Sequence, residues 1–300
     1  MPNWSDVLKE LQEISSNTAP LDVVRDKYLH KLYEKTNRNV IAYYSGWLHK
    51  TNDNINTGIT DLDQNAFMTT IHKLDKSKGL DLILHTPGGN LTATQSIVFY
   101  LKEIFGSNIR VIVPHLAMSA GTMMACAAKE IIMGKHSSLG PIDPQFNGLS
   151  TWGVLEEFEK AKEEIKREPS CIPLWQMIIN KYHPTFLGDC EKSKTLAEEI
   201  VKQWLKEGMF VDDPNKDMKV NQICDFLSDH SKSKTHSRHF SYIDLRNIGL
   251  NIKLLEEDDE LQDLVLTIHH SFMHTFSNTN AFKIVQNHNN QKIISVSNIK

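Results

Sequence analysis

The chain has 300 residues, of which 40% are hydrophobic and 23% are charged, enough to bury a substantial core in one large domain or two. The formal net charge of −4 excludes an overall positive field of the kind that attracts nucleic acid. The N-terminal residues contain no apolar signal segment, and the most apolar stretch, 109–128, is interrupted by Arg110, Pro114 and His115. We therefore expect a cytoplasmic protein with no membrane span and no nucleic-acid partner.

The N-terminal third is predicted to contain helices and one strand. Apolar residues recur at helical spacing from Trp4, which predicts that residues 3–35 are largely helical. Residues 40–47 are rich in β-branched and aromatic side chains and predict a strand. A helix is predicted over 65–77, capped by Asp61 or Asp63.

From residue 80 the chain alternates between short apolar strands and helices. The strands are predicted at 80–85, 109–113 and 130–133, and the helices at 92–105 and 120–129. Such alternation favours a mostly parallel sheet covered on both faces, in which functional sites form at the carboxyl ends of the strands. Further helices are predicted at 153–167, 172–181, 194–207, 219–227 and 256–276.

The predicted elements suggest three parts. Residues 1–37 form an N-terminal helical segment, and residues 38–150 form an α/β core. Residues 151–300 form a helical part that completes or extends this core. The four cysteines form no Cys-x-x-Cys pair, and a buried free thiol is the expected state of Cys126 in its apolar surroundings.

Two motifs follow predicted strands and suggest acyl chemistry. Thr86-Pro87-Gly88-Gly89 can bring backbone N–H groups close to a ligand, because glycine adopts conformations that other residues avoid. Ser119 lies between a strand and a helix, with Ala117 and Met118 before it and Ala120, Gly121 and Thr122 after it. Alone, the first motif suits a plain turn and the second an ordinary helix cap. Because both stand at carboxyl ends of strands, together they favour an oxyanion hole beside a nucleophile.

These two motifs, with Ser138-Leu139-Gly140-Pro141-Ile142-Asp143-Pro144-Gln145, resemble the serine dehydrogenase proteinase family of Clp-fold serine peptidases. That family is related to signal peptide peptidase A and to the Clp proteolytic subunit. The resemblance is specific over 80–145 and extends to Asn287. It implies a Clp/crotonase-like spiral of ββα units with a mostly parallel sheet and flanking helices. It also implies Ser119 as nucleophile, oxyanion donors from Gly88, Gly89 and Ala120, and a homo-oligomer.

The general base is not evident from the motifs. The position of the catalytic histidine in the Clp proteolytic subunit corresponds to Asp143, and the lysine position of other relatives falls near Gly153, where the chain has no lysine. The resemblance includes a Thr-His pair, here Thr235-His236, so His236 is the first candidate base and Asp143 its orienting carboxylate. His136, Lys135 and Lys160 remain alternatives.

The chain contains 14 histidines, so metal binding has to be considered. Two groups are close in sequence, one at His270 and His274 and the other at His230, His236 and His239. Neither group has the acidic residue or cysteine pattern of a zinc site. We expect no metal and no cofactor.

The sequence therefore predicts a serine peptidase that acts on a polypeptide through an acyl-enzyme at Ser119. Two alternatives remain open. A crotonase-like enzyme would use the same oxyanion hole on an acyl-CoA thioester, and a catalytically inactive, oligomeric Clp-fold protein would only bind. Labelling by a fluorophosphonate would distinguish them.

Overall fold

The computed structural model describes residues 4–14, 19–52, 54–146, 148–228, 235 and 237–297. The helices of these residues are α1 (Trp4–Glu13), α2 (Pro20–Thr36), α3 (Leu62–Ile71), α4 (Leu91–Phe105), α5 (Ala120–Cys126), α6 (Thr151–Arg167), α7 (Ile172–Ile179), α8 (Phe186–Glu207), α9 (Lys216–Ser228), α10 (Tyr242–Asn247) and α11 (Asp259–Asn278). Short 3₁₀ turns occur at Lys76–Lys78, Pro169–Cys171 and Leu255–Glu257. Of the helices described, none is both long and apolar enough to cross a membrane.

The strands of the described residues form one large sheet and two small pairs. They are β1 (Asn39–Ser45), β2 (Leu80–His85), β3 (Ile109–Val113), β4 (Leu116–Ala117), β5 (Glu130–Met133), β6 (Ser138–Leu139), β7 (Gln145–Phe146), β8 (Leu149–Ser150), β9 (Ile252–Leu254), β10 (Ala281–Asn287) and β11 (Lys292–Val296). The large sheet has the order β11-β10-β1-β2-β3-β5-β9. Within this sheet, the neighbouring strands β1, β2, β3, β5 and β9 are parallel to each other. Strand β10 pairs antiparallel with both β1 and β11. The predicted mixed α/β fold with a mostly parallel sheet is confirmed.

Both faces of the sheet are covered, as the apolar strands require. Every residue of β1 and β2 is buried. Because successive side chains point to opposite faces, Leu82 and Leu84 face a core shared with α3, α4, α5, α8 and α9, whereas Ile83 faces a core shared with α2 and α11. The sheet thus separates two apolar layers, and Cys126 is a buried free thiol in the first of them.

Three strands at the C-terminal end of the chain, β9, β10 and β11, were not predicted from the sequence. Strand β10 pairs antiparallel with β1 and lies inside the sheet, and β9 and β11 form its edges. The apolar pattern of β10 is interrupted by Lys283, Gln286 and Asn287, all of which are buried. Polar residues of this kind are tolerated inside a core only when they find partners, and those partners are distant in sequence.

Two predicted helices differ from those in the structure by more than three residues at one end. The helix expected at 65–77 ends at Ile71, because Lys73 adopts a left-handed conformation with φ of 65°. The helix expected from 194 begins at Phe186 and so reaches further along the molecule. Asp61 occupies the N-cap position of α3, and Asp63 in its first turn accepts a hydrogen bond from the Thr60 N–H.

Candidate active site

The two motifs singled out in the sequence are hydrogen-bonded to each other. The Thr86 N–H donates to the Leu116 carbonyl at 3.1 Å, and the Met118 N–H donates to the Thr86 carbonyl at 3.0 Å. Thr86, the residue after β2, and Ala117, the last residue of β4, thereby form a parallel bridge. The glycine turn and Ser119 lie side by side as a consequence.

The glycine turn has a backbone that other residues do not readily adopt. Gly88 has a φ of 96° and Gly89 a φ of 154°. A Cβ atom on Gly88 would lie 2.7 Å from the Met118 carbonyl oxygen, and one on Gly89 would lie 2.1 Å from the Ile59 nitrogen. Both positions therefore require glycine, because the backbone of Met118 lies against Gly88 and that of Ile59 lies against Gly89.

Ile59 holds the turn from its outer side. Its N–H donates to the Gly88 carbonyl at 2.8 Å, and its carbonyl accepts from the Asn90 N–H at 2.9 Å. These bonds orient the two glycine peptides toward Ser119 and Ala120. The turn is thus fixed between an outer segment at Ile59 and the serine on its inner side.

Ser119 occupies the residue position just before α5 and is half-buried. Its φ of 52° and ψ of −118° lie outside the regions that non-glycine residues favour. A strained serine at a sharp turn between a strand and a helix is the arrangement of a nucleophile elbow. The Ser119 side chain makes no recorded cap bond to the helix, so the N-cap alternative has no support among the described contacts.

Three backbone N–H groups near Ser119 were predicted as oxyanion donors. The Gly88 N–H already donates to Thr86 Oγ1 at 3.1 Å. For the N–H groups of Gly89 and Ala120, no acceptor is recorded among the residues that the structure describes. A Cβ atom on Gly88 would lie 2.9 Å from the Ala120 nitrogen, so the turn and that N–H group are in close contact. Of the predicted donors, Gly89 and Ala120 best retain the capacity to bind an oxyanion.

Ser119 lines a cleft with a volume of about 610 Å³. One wall is the glycine turn, and the opposite wall is formed by the loop around Pro144 and by α8. The lining residues are Pro87, Gly89, Asn90, Leu91, Thr92, Ser119, Ala120, Met123, Ile142, Pro144, Gln145, Phe146, Ser193, Leu196 and Ala197. Polar and apolar groups therefore share the lining of the cleft.

Residues 16–254 match the family of ClpP-like SDH-type serine proteinases. The chain belongs to this family. Uncharacterized protein MJ1495 of Methanocaldococcus jannaschii is 31% identical over 194 residues, which cover 65% of this chain and 59% of that protein. Uncharacterized protein MJ0137 of the same organism is 36% identical over 146 residues, 47% of this chain and 49% of that protein. The chain therefore spans about half to three-fifths of the length of these curated relatives.

The SDH-type match includes Ser119, both glycines and all the base candidates, and it ends before α11 and β10. The first base candidate, His236, lies outside the residues that the structure describes, as does His230. Asp143, its predicted orienting carboxylate, is buried and accepts a hydrogen bond from Ser150 Oγ at 3.0 Å. Its neighbours Ile142 and Pro144 line the cleft.

The alternative bases do not line the cleft of this SDH-type chain. Lys135 and His136 are exposed, and His136 Nε2 lies 2.9 Å from the Pro114 carbonyl oxygen. The Lys160 side chain is 68% exposed and lies 3.9 Å from Glu164 on the same helix. Both lysines are exposed to solvent, and neither is buried beside Ser119.

Three further histidines, His85, His115 and His274, do not line the cleft. His85 and His115 contact each other on the opposite face of the sheet, and His274 packs against the Trp4 ring at 3.6 Å between centroids. Within the described ranges, no group of three or more His, Cys, Asp or Glu residues is arranged to hold a metal ion.

Proposed function

We propose that the chain is a serine peptidase that forms an acyl-enzyme at Ser119. The observation that carries this proposal is the backbone of Ser119, at a φ of 52°, in contact with Gly88 and open to the cleft. Strain of this kind is maintained only where the surrounding structure enforces it, and it concentrates at functional positions. Membership of a serine proteinase family supports the same reaction.

In the proposed reaction, Ser119 Oγ attacks a peptide carbonyl carbon while its proton passes to the base. The carbonyl oxygen becomes an oxyanion and accepts hydrogen bonds from the N–H groups of Gly89 and Ala120. The tetrahedral intermediate then collapses, and the amine leaves with the proton from the base. Water, activated by the same base, releases the acid and restores Ser119. Each oxyanion donor contributes a factor of about 10²–10³ to the rate of such reactions.

We propose His236 as the base and Asp143 as the carboxylate that orients it. Serine needs a base within hydrogen-bond reach, and an aspartate alone is a poor one. The burial of Asp143 next to the cleft residues Ile142 and Pro144 supports its assignment as the orienting group. The resemblance supports His236, since the Thr-His pair belongs to the family pattern.

The proposed substrate is a polypeptide. A cleft of about 610 Å³ lies within the range of about 300–1,000 Å³ that holds ligands of the size of a short peptide. Apolar side chains from α5 and α8 line it beside the polar turn, so a side chain and a peptide group can be bound at once. Cleavage in such a site requires the substrate to be extended where it passes Ser119.

We also propose the finer features that the family implies. The short strands β4 and β6 pair beside the main sheet, which supports ββα units arranged as a spiral. The strands β9, β10 and β11 support a C-terminal part, 151–300, that completes the core of residues 38–150. A homo-oligomer is proposed from the resemblance.

Treatment of the pure protein with a fluorophosphonate, followed by mass spectrometry of the adduct, tests the function. We expect labelling at Ser119 that is absent from Ser119→Ala. Ser193→Ala is the matched control, because Ser193 lines the same cleft from α8 and should leave labelling unchanged.

Labelling that survives in His236→Ala would reject that base. Absence of labelling in the wild-type protein would reject the peptidase. Recovery of a bound CoA ester would then favour the crotonase-like alternative. If the protein is not labelled and holds no CoA ester, a protein that only binds is favoured.

A further inference from the structure

His85 is the last residue of β2 and directly precedes the glycine turn. It is fully buried, and its ring lies on the face of the sheet opposite the cleft. The ring centroid is 4.3 Å from that of Trp47, 5.2 Å from that of His269 and 5.6 Å from that of His115. Its side chain is therefore enclosed by aromatic rings from the loop after β1, from α11 and from the segment after β3.

The His85 side chain is hydrogen-bonded to the strand that carries the nucleophile. Its Nδ1 atom accepts from the Leu116 N–H at 3.4 Å. Leu116 begins β4, three residues before Ser119, and its carbonyl accepts the Thr86 N–H. One imidazole thus connects the end of β2 with the start of β4, between which the site is built.

Only a neutral imidazole can make this contact. An Nδ1 atom that accepts from an N–H group carries no proton, so the proton of the ring is on Nε2. A second proton on Nδ1 would place two donors opposite each other. The Leu116 N–H would then lose its acceptor, and a charge would be buried among aromatic rings.

We propose that His85 is a positioning residue for Ser119, and that its protonation in acid releases the start of β4 and displaces the nucleophile. This inference rests on the proposed function, because it assigns a role to the nucleophile of that site. It adds a second requirement to activity, distinct from the general base. The site would fail in acid even with a competent base.

The surroundings of His85 oppose protonation. Burial, followed by the neighbouring His115, holds the pKa of His85 well below its usual range. Burial, followed by His85 itself, does the same for the pKa of His269. His49 acts weakly on His85 in the same sense, and no carboxylate contributes among the described residues.

The titratable groups that the structure describes around His85 supply no negative charge to pair with a protonated ring. His115 is half-buried, and burial followed by His136 and His239 lowers its pKa. His270, next along α11, faces His269, and burial followed by His274 lowers its pKa as well. Tyr44, from β1, is fully buried, and burial raises the pKa of its hydroxyl well above the usual range. Protonation of His85 would therefore be resisted until acid pH and would then leave an uncompensated charge.

Rates of fluorophosphonate labelling at Ser119 test the positioning role. His85→Leu removes the acceptor, and we expect a labelling rate at pH 8 lower by about tenfold or more, as for a slightly misplaced nucleophile. His85→Asn supplies a carboxamide oxygen as acceptor, and we expect its rate to recover to within about threefold of wild type. His288→Asn is the matched control and should label at the wild-type rate. His288 is also a buried histidine whose Nδ1 accepts from a strand N–H, that of Val40 at 3.2 Å, but it lies outside the cleft.

The dependence on pH separates His85 from the base. His236 is present in wild type and in His85→Asn, so loss of rate through the base is common to both. Because the carboxamide does not titrate, His85→Asn should lose less rate than wild type in the most acidic range in which both proteins stay folded. Equal losses in the two proteins would overturn the acid-release step. A wild-type rate for His85→Leu at pH 8 would overturn the positioning role.

A measurement independent of activity keeps the two proposals distinct. In ¹⁵N-histidine-labelled Ser119→Ala protein, we expect an NMR signal of His85 with Nε2 protonated and Nδ1 bare. Hydrogen exchange at the Leu116 amide should be faster in His85→Leu. If wild type is not labelled but both results hold, the peptidase fails and the His85 bond stands. A protonated Nδ1 at pH 8 would overturn the inference, even if His85→Leu does not fold.

Discussion

A Cβ atom placed on Gly88 would lie 2.7 Å from the Cβ atom of Ser119. Real Cβ atoms do not approach this closely, so the turn and the serine are in contact only because residue 88 is glycine. The contact joins the two strand ends at the point where chemistry is proposed. It also makes the geometry of the site unusually sensitive to one methyl group.

Gly88→Ala should abolish fluorophosphonate labelling at Ser119, because the new methyl group must displace the serine or the turn. Gly249→Ala is the matched control. Gly249 has a φ of 98°, close to the 96° of Gly88, but a Cβ atom there would meet nothing within 4 Å. Both variants should lose about 1–2 kcal/mol from left-handed backbone strain, measured by urea unfolding. Retention of labelling in Gly88→Ala would contradict the contact.

Ser119→Gly should be more stable to urea than Ser119→Ala, although neither can be labelled. Glycine adopts the φ of 52° without strain, whereas alanine keeps the strain of the serine. We expect a difference of about 1 kcal/mol in the free energy of unfolding. At Ser193, inside α8, the same pair should reverse its order, because alanine favours a helix over glycine by about 1 kcal/mol. Equal stabilities at position 119 would argue against strain there.

Asp63→Ala should destabilise the fold by about 3–5 kcal/mol, because it leaves the buried charge of Lys283 without the carboxylate that neutralises it. The Lys283 ammonium lies 2.9 Å from Asp63 Oδ2, and both side chains are nearly inaccessible, at 5% and 6% exposed. Lys283 also donates to the Gly58 carbonyl at 2.6 Å, next to Ile59, which holds the glycine turn. Urea unfolding gives the loss, and slower labelling of Ser119 should accompany it.

A double variant, Asp63→Leu with Lys283→Met, removes both charges of this pair and tests whether they are coupled. It should lose less stability than the sum of the single changes, since no charge remains buried. Glu159→Ala is the control. Its partner Lys162 and Glu159 itself are each 68% exposed, so the loss should stay below about 1 kcal/mol. Additive losses at Asp63 and Lys283 would show that the two charges are not coupled.

The free energy of unfolding should fall as the pH falls below 6.5, in part through His288. Burial lowers the pKa of His288 to about 4, against a usual value of 6.5. Between these values the unfolded chain binds a proton that the folded chain does not, so acid favours unfolding. Above pH 6.5 His288 causes no such loss of stability. Below it, a single group can lower the free energy of unfolding by at most about 1.4 kcal/mol per pH unit.

Urea unfolding of wild type and His288→Asn at pH 7, 6 and 5 measures this contribution. The stability of the variant should fall less steeply with acid than that of wild type. His183→Asn, a change at an exposed histidine, is the control and should keep the wild-type slope. An identical slope in His288→Asn would contradict a buried, neutral His288.

The sequence predicted the parts of the site that depend on local backbone geometry. Gly88 and Gly89 were identified because a Pro-Gly-Gly turn needs positive φ values, and Ser119 because small residues surround it. The strands β1, β2, β3 and β5 were predicted from their apolar, β-branched and aromatic runs. The strand β10 was not predicted, because the polar residues Lys283 and Gln286 interrupt its apolar pattern. Both are buried because they bond to Asp63 and Arg25, which are distant in sequence.

His85 shows the limit of local reasoning most clearly. His85 directly precedes the glycine turn in sequence, yet alternation along β2 directs its ring to the face of the sheet opposite the cleft. There it accepts a hydrogen bond from Leu116, a residue 31 positions away in the chain. No local pattern contains that contact.

The sequence by itself determined a mostly parallel α/β sheet and two adjacent strand-end motifs, because periodicity, glycine and small residues act over a few neighbouring positions. Only the tertiary structure decided that Gly88 lies against Ser119 and that the Ile59 N–H donates to the Gly88 carbonyl. It alone placed Asp63 against Lys283 and His85 against Leu116. Burial, hydrogen-bond pairing and the direction of a side chain arise from segments distant in sequence, and they form only when the chain folds.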